Sequence, residues 1–417
     1  MKHVILLAAL MLHTAFAHAY RYDPRGRTKE AIVLTGEERR IVDNLNNFSF
    51  QLLRATNTGS NQVLSPLSVA FALAMVNNGA AGETREEMVR VMGLKGFELG
   101  QVNALLGKLL KEMPRLDEKT RVKMANNVYV NKQFQLKESF QDTVSSRYGV
   151  TPQSLDFGSK ATVDAINQWC SEQTEGMIDK MVESIGNDCV SILLNAIYFE
   201  SKWKLPFDKR STKREPFEGA DSVDMMKKTF KSFDVDYCEN DVCQMIGLPY
   251  NNNSYKLVAM LPMKGLPLDE MLDDVIKRPD FYSYRFDGWD ELEVWLPTMN
   301  METEVKLNNP LTDMGMSRAF DKREAEFPEF VYTRPLENIY IGNVLQKAKI
   351  ELDEEGTKAA AVTKVGMRVK MAAAPKRDKV VKRFIADRPF LYFIMENSTG
   401  AILFIGKFTG KQTADKR

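Results

Sequence analysis

The stretch VSILLNAIYF, from Val190 to Phe199, decides the fold class of this chain. It is a continuous apolar run, rich in branched and aromatic side chains, which is typical of a strand buried on both faces. Two shorter apolar runs, Leu257 to Leu261 and Leu292 to Leu296, predict further strands. Two more runs, Phe390 to Met395 and Ile402 to Lys407, lie on either side of E-N-S-T-G-A and predict a hairpin.

Helical patterns occur nearer the start of the chain. The segment SVAFALAMVN, Ser68 to Asn77, predicts an apolar helix that is opened by Ser-Pro and closed by Gly79. A second helix is predicted from Glu83 to Met92. No linker rich in Pro, Gly and Ser and no repeat interrupts the middle of the chain. The sequence therefore predicts one α+β domain with long antiparallel or mixed sheets.

The opening residues MKHVILLAALMLHTAFAHAY predict a secretory signal peptide. They combine a basic start at Lys2, an apolar core too short to span a bilayer, and small residues in an A-x-A arrangement. The alternative is a buried N-terminal helix. We expect residues 1–17 to be the signal peptide, with cleavage after Ala17 or Ala19. Residues 18–39 are then a basic tail, and residues 40–417 are the folded domain of a secreted, extracellular protein.

Composition excludes several classes of function. The chain has 57 basic and 56 acidic side chains, and Lys2 is the only charge in the expected signal peptide, so we expect the mature chain to be neutral. Binding of nucleic acid phosphates depends on a surplus of basic side chains, so neutrality argues against nucleic acid as a partner. The three histidines, His3, His13 and His18, all lie in or beside the signal peptide. Histidine-based nucleophile systems and His-ligated zinc are therefore excluded. With no glycine-rich phosphate loop and no G-x-S-x-G elbow, we expect neither an enzyme nor a metal site.

Four cysteines and three sequons matter in an exported protein. Cys238 and Cys243 flank E-N-D-V between two apolar runs, so we expect a disulfide across a hairpin; zinc held by four thiolates is the alternative, although paired C-x-x-C units are lacking. The other two cysteines are Cys170 and Cys189. The candidate glycosylation acceptors are Asn47, Asn252 and Asn397.

Four stretches together resemble the serpin family, and the similarity covers nearly the whole mature chain. They are VLSPLSVAFALAM; LLNAIYFESKW followed by Phe207, Thr212 and Phe217; the segment from Glu354 to Val362; and FIADRPFLYFI, Phe384 to Ile394. Two positions depart from the family pattern: Glu200-Ser201 stands where Lys-Gly is usual, and Gln346 stands where histidine is frequent. A glutamine amide still donates and accepts hydrogen bonds, so neither change alters the expected fold.

The resemblance implies a serpin fold, a single domain of three β-sheets and about nine helices with an exposed reactive loop at about residues 354–382. It implies that a serine protease attacks this loop as a substrate and forms an acyl ester, after which the loop inserts as a new strand of the largest sheet. It also implies two groups of site residues: a hinge (Glu354, Gly356, Thr357, Ala359, Ala360 and Ala361) and a sheet-opening cluster (Ser65, Ser68, Asn195 and Trp203).

The loop sequence meets the physical demand of insertion. Successive side chains of a strand face opposite sides, so the side that enters the core must lack charge. Every second side chain from Thr357 to Val369 is uncharged, and the side chains between them hold every charge in the segment. Chance alternation and a surface strand already in place are the alternatives. The uncharged set is Thr357, Ala359, Ala361, Thr363, Val365, Met367 and Val369.

Family spacing places the reactive bond fourteen residues after Gly356, at Lys370-Met371. A lysine suits the acidic pocket of trypsin-like proteases. Arg368 and Arg377 are competing sites, and Met371 as the specificity residue would favour elastase-like or chymotrypsin-like enzymes. We expect a monomeric inhibitor that forms a covalent complex with a trypsin-like protease. The alternative is a non-inhibitory carrier or interaction protein, whose hinge would commonly contain charged or bulky residues.

A basic cluster follows the proposed reactive bond, and the N-terminal tail adds a second. Ordinary solvation is one interpretation of both. The other is a binding site for a heparin-like glycosaminoglycan activator, which would be the protein's only cofactor, or for an anionic membrane surface. The clusters are Lys376, Arg377, Lys379, Lys382 and Arg383, and then Arg21, Arg25, Arg27 and Lys29.

Overall fold

The structure is a computed structural model that describes residues 31–186, 189–278, 288–332, 338–357 and 379–411. The predicted signal peptide, the second basic cluster, and residues 358–378 of the loop lie outside the described residues. So do Ala359, Ala360, Ala361, Lys370 and Met371, together with Arg368, Lys376 and Arg377.

Eight α-helices are present in the described ranges, compared with the expected nine or so. The first begins with a reciprocal cap, in which the Thr35 hydroxyl accepts from the Glu38 amide and the Glu38 carboxylate accepts from the Thr35 amide. This helix begins at Gly36, four residues before the expected border at residue 40. The helices are α1 Gly36–Ala55, α2 Pro66–Asn77, α3 Gly82–Val91, α4 Leu99–Glu112, α5 Glu138–Tyr148, α6 Lys160–Gln173, α7 Leu268–Lys277 and α8 Asn308–Asp313.

Three main sheets and one two-stranded pair are formed by the strands of the described residues, as expected for the three sheets. The strands are β1 Gln62–Leu64, β2 Arg121–Asn131, β3 Gln135–Leu136, β4 Gln153–Leu155, β5 Ser191–Lys202, β6 Lys213–Phe217, β7 Ala220–Lys231, β8 Asp236–Glu239, β9 Cys243–Pro249, β10 Tyr255–Pro262, β11 Glu291–Pro297, β12 Met299–Lys306, β13 Val331–Tyr332, β14 Asn343–Leu352, β15 Gly356–Thr357, β16 Val381–Ile385, β17 Phe390–Glu396 and β18 Ile402–Phe408.

The sheets have simple strand orders. The central sheet is β12-β14-β15-β5-β2-β4, the four-stranded sheet is β16-β11-β7-β6, and the hairpin sheet is β1-β18-β17-β10-β9-β8. The predicted strand from Val190 to Phe199 is β5, and its residues in the central sheet are buried. The predicted hairpin is β17 and β18. Helix α2 is buried on all sides and packs against β2, β5 and β18, which explains why its sequence is apolar throughout.

The central sheet is divided along the boundary between β14 and β5. These strands pair directly and in parallel where Asn343–Lys347 face Ile192–Ala196. Farther along, β15 lies between them, with Thr357 opposite both Leu352 and Ser201. One end of the boundary is thus closed by direct pairing, and the other end already holds the first two residues of an inserted strand.

The expected disulfide between Cys238 and Cys243 is not formed in the structure, and both side chains are buried. The register places Cys238 opposite Met245, and Glu239 opposite Gln244, so the two cysteines are not opposite each other. No group of three or more His, Cys, Asp or Glu in the described ranges is arranged to hold a metal ion. Among the same residues no helix is long and apolar enough to cross a membrane.

Two of the three sequon asparagines use their amide nitrogens within the fold. The Asn252 amide donates to the Leu116 carbonyl at 2.8 Å, and the Asn397 amide donates to the Asn253 carbonyl at 2.5 Å. Both side chains are half-buried, and their glycosylation stays a prediction. Asn47 lies half-buried on α1, and its glycosylation stays a prediction.

Candidate functional site

The hinge leaves β14 through a tight turn built on Asp353. The Asp353 carboxylate accepts from the amides of Glu355 and Gly356, at 2.8 and 3.2 Å. This turn reverses the chain, so that Gly356 comes to lie against β5. A Cβ atom at position 356 would stand 2.2 Å from the Ser201 carbonyl oxygen, so only glycine fits here.

Thr357 points into the core, as the alternating pattern predicts for the first residue of the uncharged set. It is 2% exposed, and its hydroxyl lies 2.6 Å from the phenol oxygen of Tyr250. Burial raises the pKa of Tyr250 well above its usual range, so the phenol stays neutral. The Tyr250 ring is stacked on Trp203, with centroids 4.6 Å apart and planes inclined by 7°. The hinge strand is therefore held by an aromatic pair on its inner side.

The acidic residues of the hinge are also anchored. Glu354 accepts from the Thr212 hydroxyl at 2.5 Å, and Glu355 forms an ion pair with Lys209 at 2.9 Å. The partner carboxylate raises the pKa of Lys209. The Trp203 indole donates to the Asp353 carbonyl at 2.8 Å. Sequence reasoning missed Tyr250 and Lys209, because neither position has a local pattern that points to the hinge.

A second group of polar side chains, the polar cluster, lies beneath the last directly paired residues of β14 and β5. The Gln346 amide donates to the Ser65 carbonyl at 2.8 Å and to the Asn195 side chain at 3.2 Å, and Asn195 donates to Asn126 at 2.6 Å. The Ser65 hydroxyl donates to the Leu403 carbonyl at 2.8 Å. This cluster joins the N-terminus of α2 to β14, β5 and β2, so separating β14 from β5 must break it.

The structure places the residues of the predicted sheet-opening cluster in two parts of the central sheet. Ser65 and Asn195 are brought together, whereas Trp203 lies eight positions farther along the chain and contacts the hinge. Ser68 is buried nearby, but its hydroxyl has no hydrogen-bond partner among the described residues. Gln346 and Asn126 complete the cluster. Gln346 could have been found as a departure from the family pattern, whereas Asn126 gave no sequence signal.

We expect Gln346→Ala to destabilise the protein by about 2–3 kcal/mol. Gln346 is 1% exposed, and its removal leaves the Ser65 carbonyl and the Asn195 side-chain oxygen buried without this donor. The melting temperature of the purified variant measures the loss. Lys349→Ala on the same strand is the control, because Lys349 forms a partly exposed ion pair with Glu351 whose loss should cost below about 1 kcal/mol. Equal melting temperatures for the two variants would contradict the role of Gln346.

The described members of the first basic cluster are all paired with carboxylates. Lys379 lies 2.7 Å from Glu291, Lys382 lies 2.5 Å from Glu239, and Arg383 lies 3.1 Å from Glu293. Glu291 also pairs with Lys231, and the hydrogen bonds from these two lysines lower its pKa to about 2. This part of the cluster therefore has little uncompensated positive charge.

Comparisons with known proteins agree on one family. The family model described as "Serpin (serine protease inhibitor)" matches residues 43–410. An uncharacterized serpin-like protein of Thermococcus kodakarensis is 30% identical over 93% of this chain and 89% of its own. The human leukocyte elastase inhibitor is 31% identical over 86% of this chain and 96% of its own. The crystal structure of tengpin, a thermophilic serpin in the native state, matches with a TM-score of 0.78, at 29% identity over 91% of this chain and 96% of that one.

Proposed function

This chain belongs to the serpin family, and from that premise we propose that it is a secreted inhibitor of trypsin-like serine proteases. The family is one of protease inhibitors rather than catalysts. The observation on which the proposal rests is strand β15, in which Thr357 already pairs with both β14 and β5 and Gly356 pairs with β5. A loop that begins inside the sheet can extend inward by the same hydrogen-bonding pattern once it is cut.

The proposed mechanism follows from the positions of β15 and of the polar cluster in the central sheet. After cleavage, residues beyond Thr357 would extend β15 toward the directly paired segment, and the β14–β5 pairs would separate as they advanced. Gln346 and Asn195 stand at that segment, so their hydrogen bonds hold the sheet closed before cleavage. Fourteen residues from Thr357 to Lys370, at about 3.3 Å each, would move an attached protease by roughly 46 Å.

Such a displacement would trap the protease as its acyl ester. Pulling the catalytic serine from its partners by even about 1 Å costs on the order of a hundredfold in rate, and loss of an oxyanion donor costs a similar factor. The uncharged inner set from Thr357 to Val369 supports inhibition over the alternative of a non-inhibitory carrier, since a charge would stop insertion. Secretion is proposed from the leader pattern of residues 1–17 alone.

Loop cleavage should raise the melting temperature by roughly 10 °C or more. The added strand would pair with β14 on one side and β5 on the other, in place of their direct pairs, and bury the small side chains of the loop. The measurement is calorimetry before and after limited proteolysis with an enzyme that cuts in the loop. A sample of uncleaved protein incubated with the same enzyme after the enzyme has been inactivated supplies the control. A cleaved protein that melted at the original temperature would favour the non-inhibitory alternative.

For the polyanion, we propose that the first basic cluster does not hold heparin by itself. Each of Lys379, Lys382 and Arg383 is paired with a neighbouring carboxylate. Little of their positive charge is therefore left to bind the sulfate groups of heparin. We expect elution from a heparin column at or below about 0.15 M salt, where the screening length is about 8 Å. Firm retention that falls in a variant with alanine at Lys376, Arg377 and Lys379 would establish the cofactor role instead.

A further inference from the structure

Strand β5 ends, beside the hinge, in a series of buried polar side chains. The Ser201 hydroxyl lies 2.6 Å from the hydroxyl of Thr120, the residue directly before β2. The Thr120 hydroxyl donates to the Asp117 carboxylate at 2.7 Å, and the Asn251 side-chain amide donates to the same carboxylate at 2.7 Å. These four residues form the β5 clamp. The clamp ties the end of β5 to the turn before β2 and to the turn after β9.

The direction of each hydrogen bond in the β5 clamp follows from its chemistry. A carboxylate only accepts, so the single hydroxyl proton of Thr120 is donated to Asp117. The Ser201 hydroxyl must therefore be the donor to Thr120. Ser201, Thr120 and Asp117 are 1%, 4% and 5% exposed, so little water reaches them. Removing one of the hydroxyls would leave buried polar atoms without their partner, which is costly.

Thr357 occupies a place at which β14 and β5 would otherwise pair. The register that puts Gln346 opposite Asn195 would, if continued, put Leu352 opposite Ser201. Instead Thr357 stands between these two residues and pairs with both. The gap between Leu352 and Ser201 is the seat. Two arrangements of this end of the sheet are therefore compatible with the register: a closed seat with direct pairing, and an open seat that holds Thr357.

The β5 clamp acts against closure of the seat. Leu352 and Ser201 must approach each other by about one strand spacing, roughly 4.8 Å, to pair directly. Strand β5 cannot supply that movement while Ser201 is bonded to Thr120 on the β2 side. The clamp therefore favours the open seat.

The turn after β9 fixes both the end of β5 and the residue in the seat. The Asn251 backbone amide donates to the Lys202 carbonyl at 2.9 Å, in addition to the bond that its side chain makes in the β5 clamp. The neighbouring Tyr250 is the residue whose phenol bonds to the Thr357 hydroxyl. One rigid turn thus holds the two sides of the contact between β5 and β15.

Both departures of β5 from the family pattern lie at the β5 clamp. Glycine is usual at position 201, and glycine has no hydroxyl to donate to Thr120. Lysine is usual at position 200, where Glu200 forms an ion pair at 3.5 Å with Arg121, directly opposite on β2. A lysine would face Arg121 with the same charge. Ser201 and Glu200 therefore each bind β5 to β2 beside the seat.

We propose that Ser201, Thr120 and Asp117 are positioning residues that keep the seat open for the hinge and so direct the cleaved loop into the sheet. This inference rests on the proposed inhibitory function. Insertion of the cleaved loop competes with hydrolysis of the acyl ester, and a strand that already occupies the seat needs no opening step at this end. With the clamp broken, the seat would be closed in part of the molecules and insertion would begin more slowly. More of the inhibitor would then be consumed as a substrate.

The test compares Thr120→Val with Thr120→Ser and uses trypsin as the probe. Valine has nearly the shape of threonine without the hydroxyl, whereas serine keeps the hydroxyl. We expect Thr120→Val, and likewise Ser201→Ala, to raise the number of inhibitor molecules consumed per trypsin about three- to tenfold. Thr120→Ser should stay near the value of the unsubstituted protein. Tyr148→Phe removes a buried hydrogen bond to Asn103 between α4 and α5, so it controls for a general loss of stability and should leave the number unchanged.

A thiol at position 357 reports on the seat without any protease. Thr357 is buried in the seat, and the four native cysteines are buried as well, so the background reaction is low. In a Thr357→Cys background, we expect alkylation by iodoacetamide to become about tenfold faster when Thr120→Val is added, because the hinge leaves a closed seat. Adding Thr120→Ser should leave the alkylation rate unchanged.

The two measurements separate this inference from the function on which it rests. Equal alkylation rates in the valine and serine variants, or equal consumption per trypsin, would overturn the role of the β5 clamp and leave the inhibitory function standing. Absence of any covalent complex with the unsubstituted protein, together with no rise in melting temperature after cleavage, would instead overturn the inhibitory function. The alkylation rates would then still decide whether the clamp holds the seat open.

Discussion

Lys370→Ala is expected to lower the rate of complex formation with trypsin by about a thousandfold or more. A trypsin-like pocket contains a buried carboxylate that pairs with the lysine, and alanine leaves that charge without a partner. The measurement is the rate at which a complex that survives denaturing electrophoresis appears. Lys370→Arg should retain trypsin inhibition, because the guanidinium reaches the same carboxylate.

The alanine variant also supplies its own positive control. A small side chain fits the small pocket of elastase, so Lys370→Ala should gain complex formation with elastase while losing it with trypsin. This gain would show that the loop and the sheet still function. Unchanged trypsin inhibition would contradict the assignment of the bond, and the same measurement on Arg368→Ala and Arg377→Ala would then locate it.

Thr357→Arg should turn the inhibitor into a substrate. Thr357 already lies within the sheet, 2% exposed beside Tyr250, so an unpaired guanidinium at this position should hold the hinge out of the sheet before cleavage and cost several kcal/mol when the strand enters it. Each 1.4 kcal/mol that slows insertion relative to hydrolysis shifts the partition tenfold. We therefore expect roughly ten to a hundred times more inhibitor to be consumed per trypsin molecule, with cleaved chain accumulating instead of complex.

Thr357→Ser is the matched control, because it keeps the hydroxyl that lies against Tyr250. It should trap trypsin in nearly the same ratio as the unsubstituted protein. Titration of trypsin with each variant, followed by electrophoresis, measures the ratio of complex to cleaved chain. Equal trapping by the arginine and serine variants would mean that insertion at position 357 is not required for inhibition.

Local patterns were sufficient for the main elements and for part of the hinge. The apolar run from Val190 to Phe199 predicted β5, and the two runs around E-N-S-T-G-A predicted the β17–β18 hairpin. The alternation from Thr357 predicted which side of the hinge faces inward, and the buried Thr357 confirms it for that residue. These features depend on neighbours in the chain, so a period of two or a short turn sequence specifies them.

Contacts between distant positions could not be predicted in this way. Gln346 bonds to Ser65 across 281 positions, and Tyr250 meets Thr357 across 107. The carboxylates that neutralise Lys379, Lys382 and Arg383 belong to other strands. In each case the partner is chosen by strand register and sheet order.

By itself, then, the sequence determined the fold class and the family, placed all three histidines within the first 18 residues, and predicted a loop able to enter a sheet. Only the tertiary structure decided that β15 is already seated between β14 and β5, and that Trp203 belongs with the hinge. It also decided that Cys238 lies opposite Met245 rather than opposite Cys243. The physical reason is that side-chain periodicity is a local property of the backbone, whereas hydrogen-bond partners across a sheet are fixed by a register that distant segments set together.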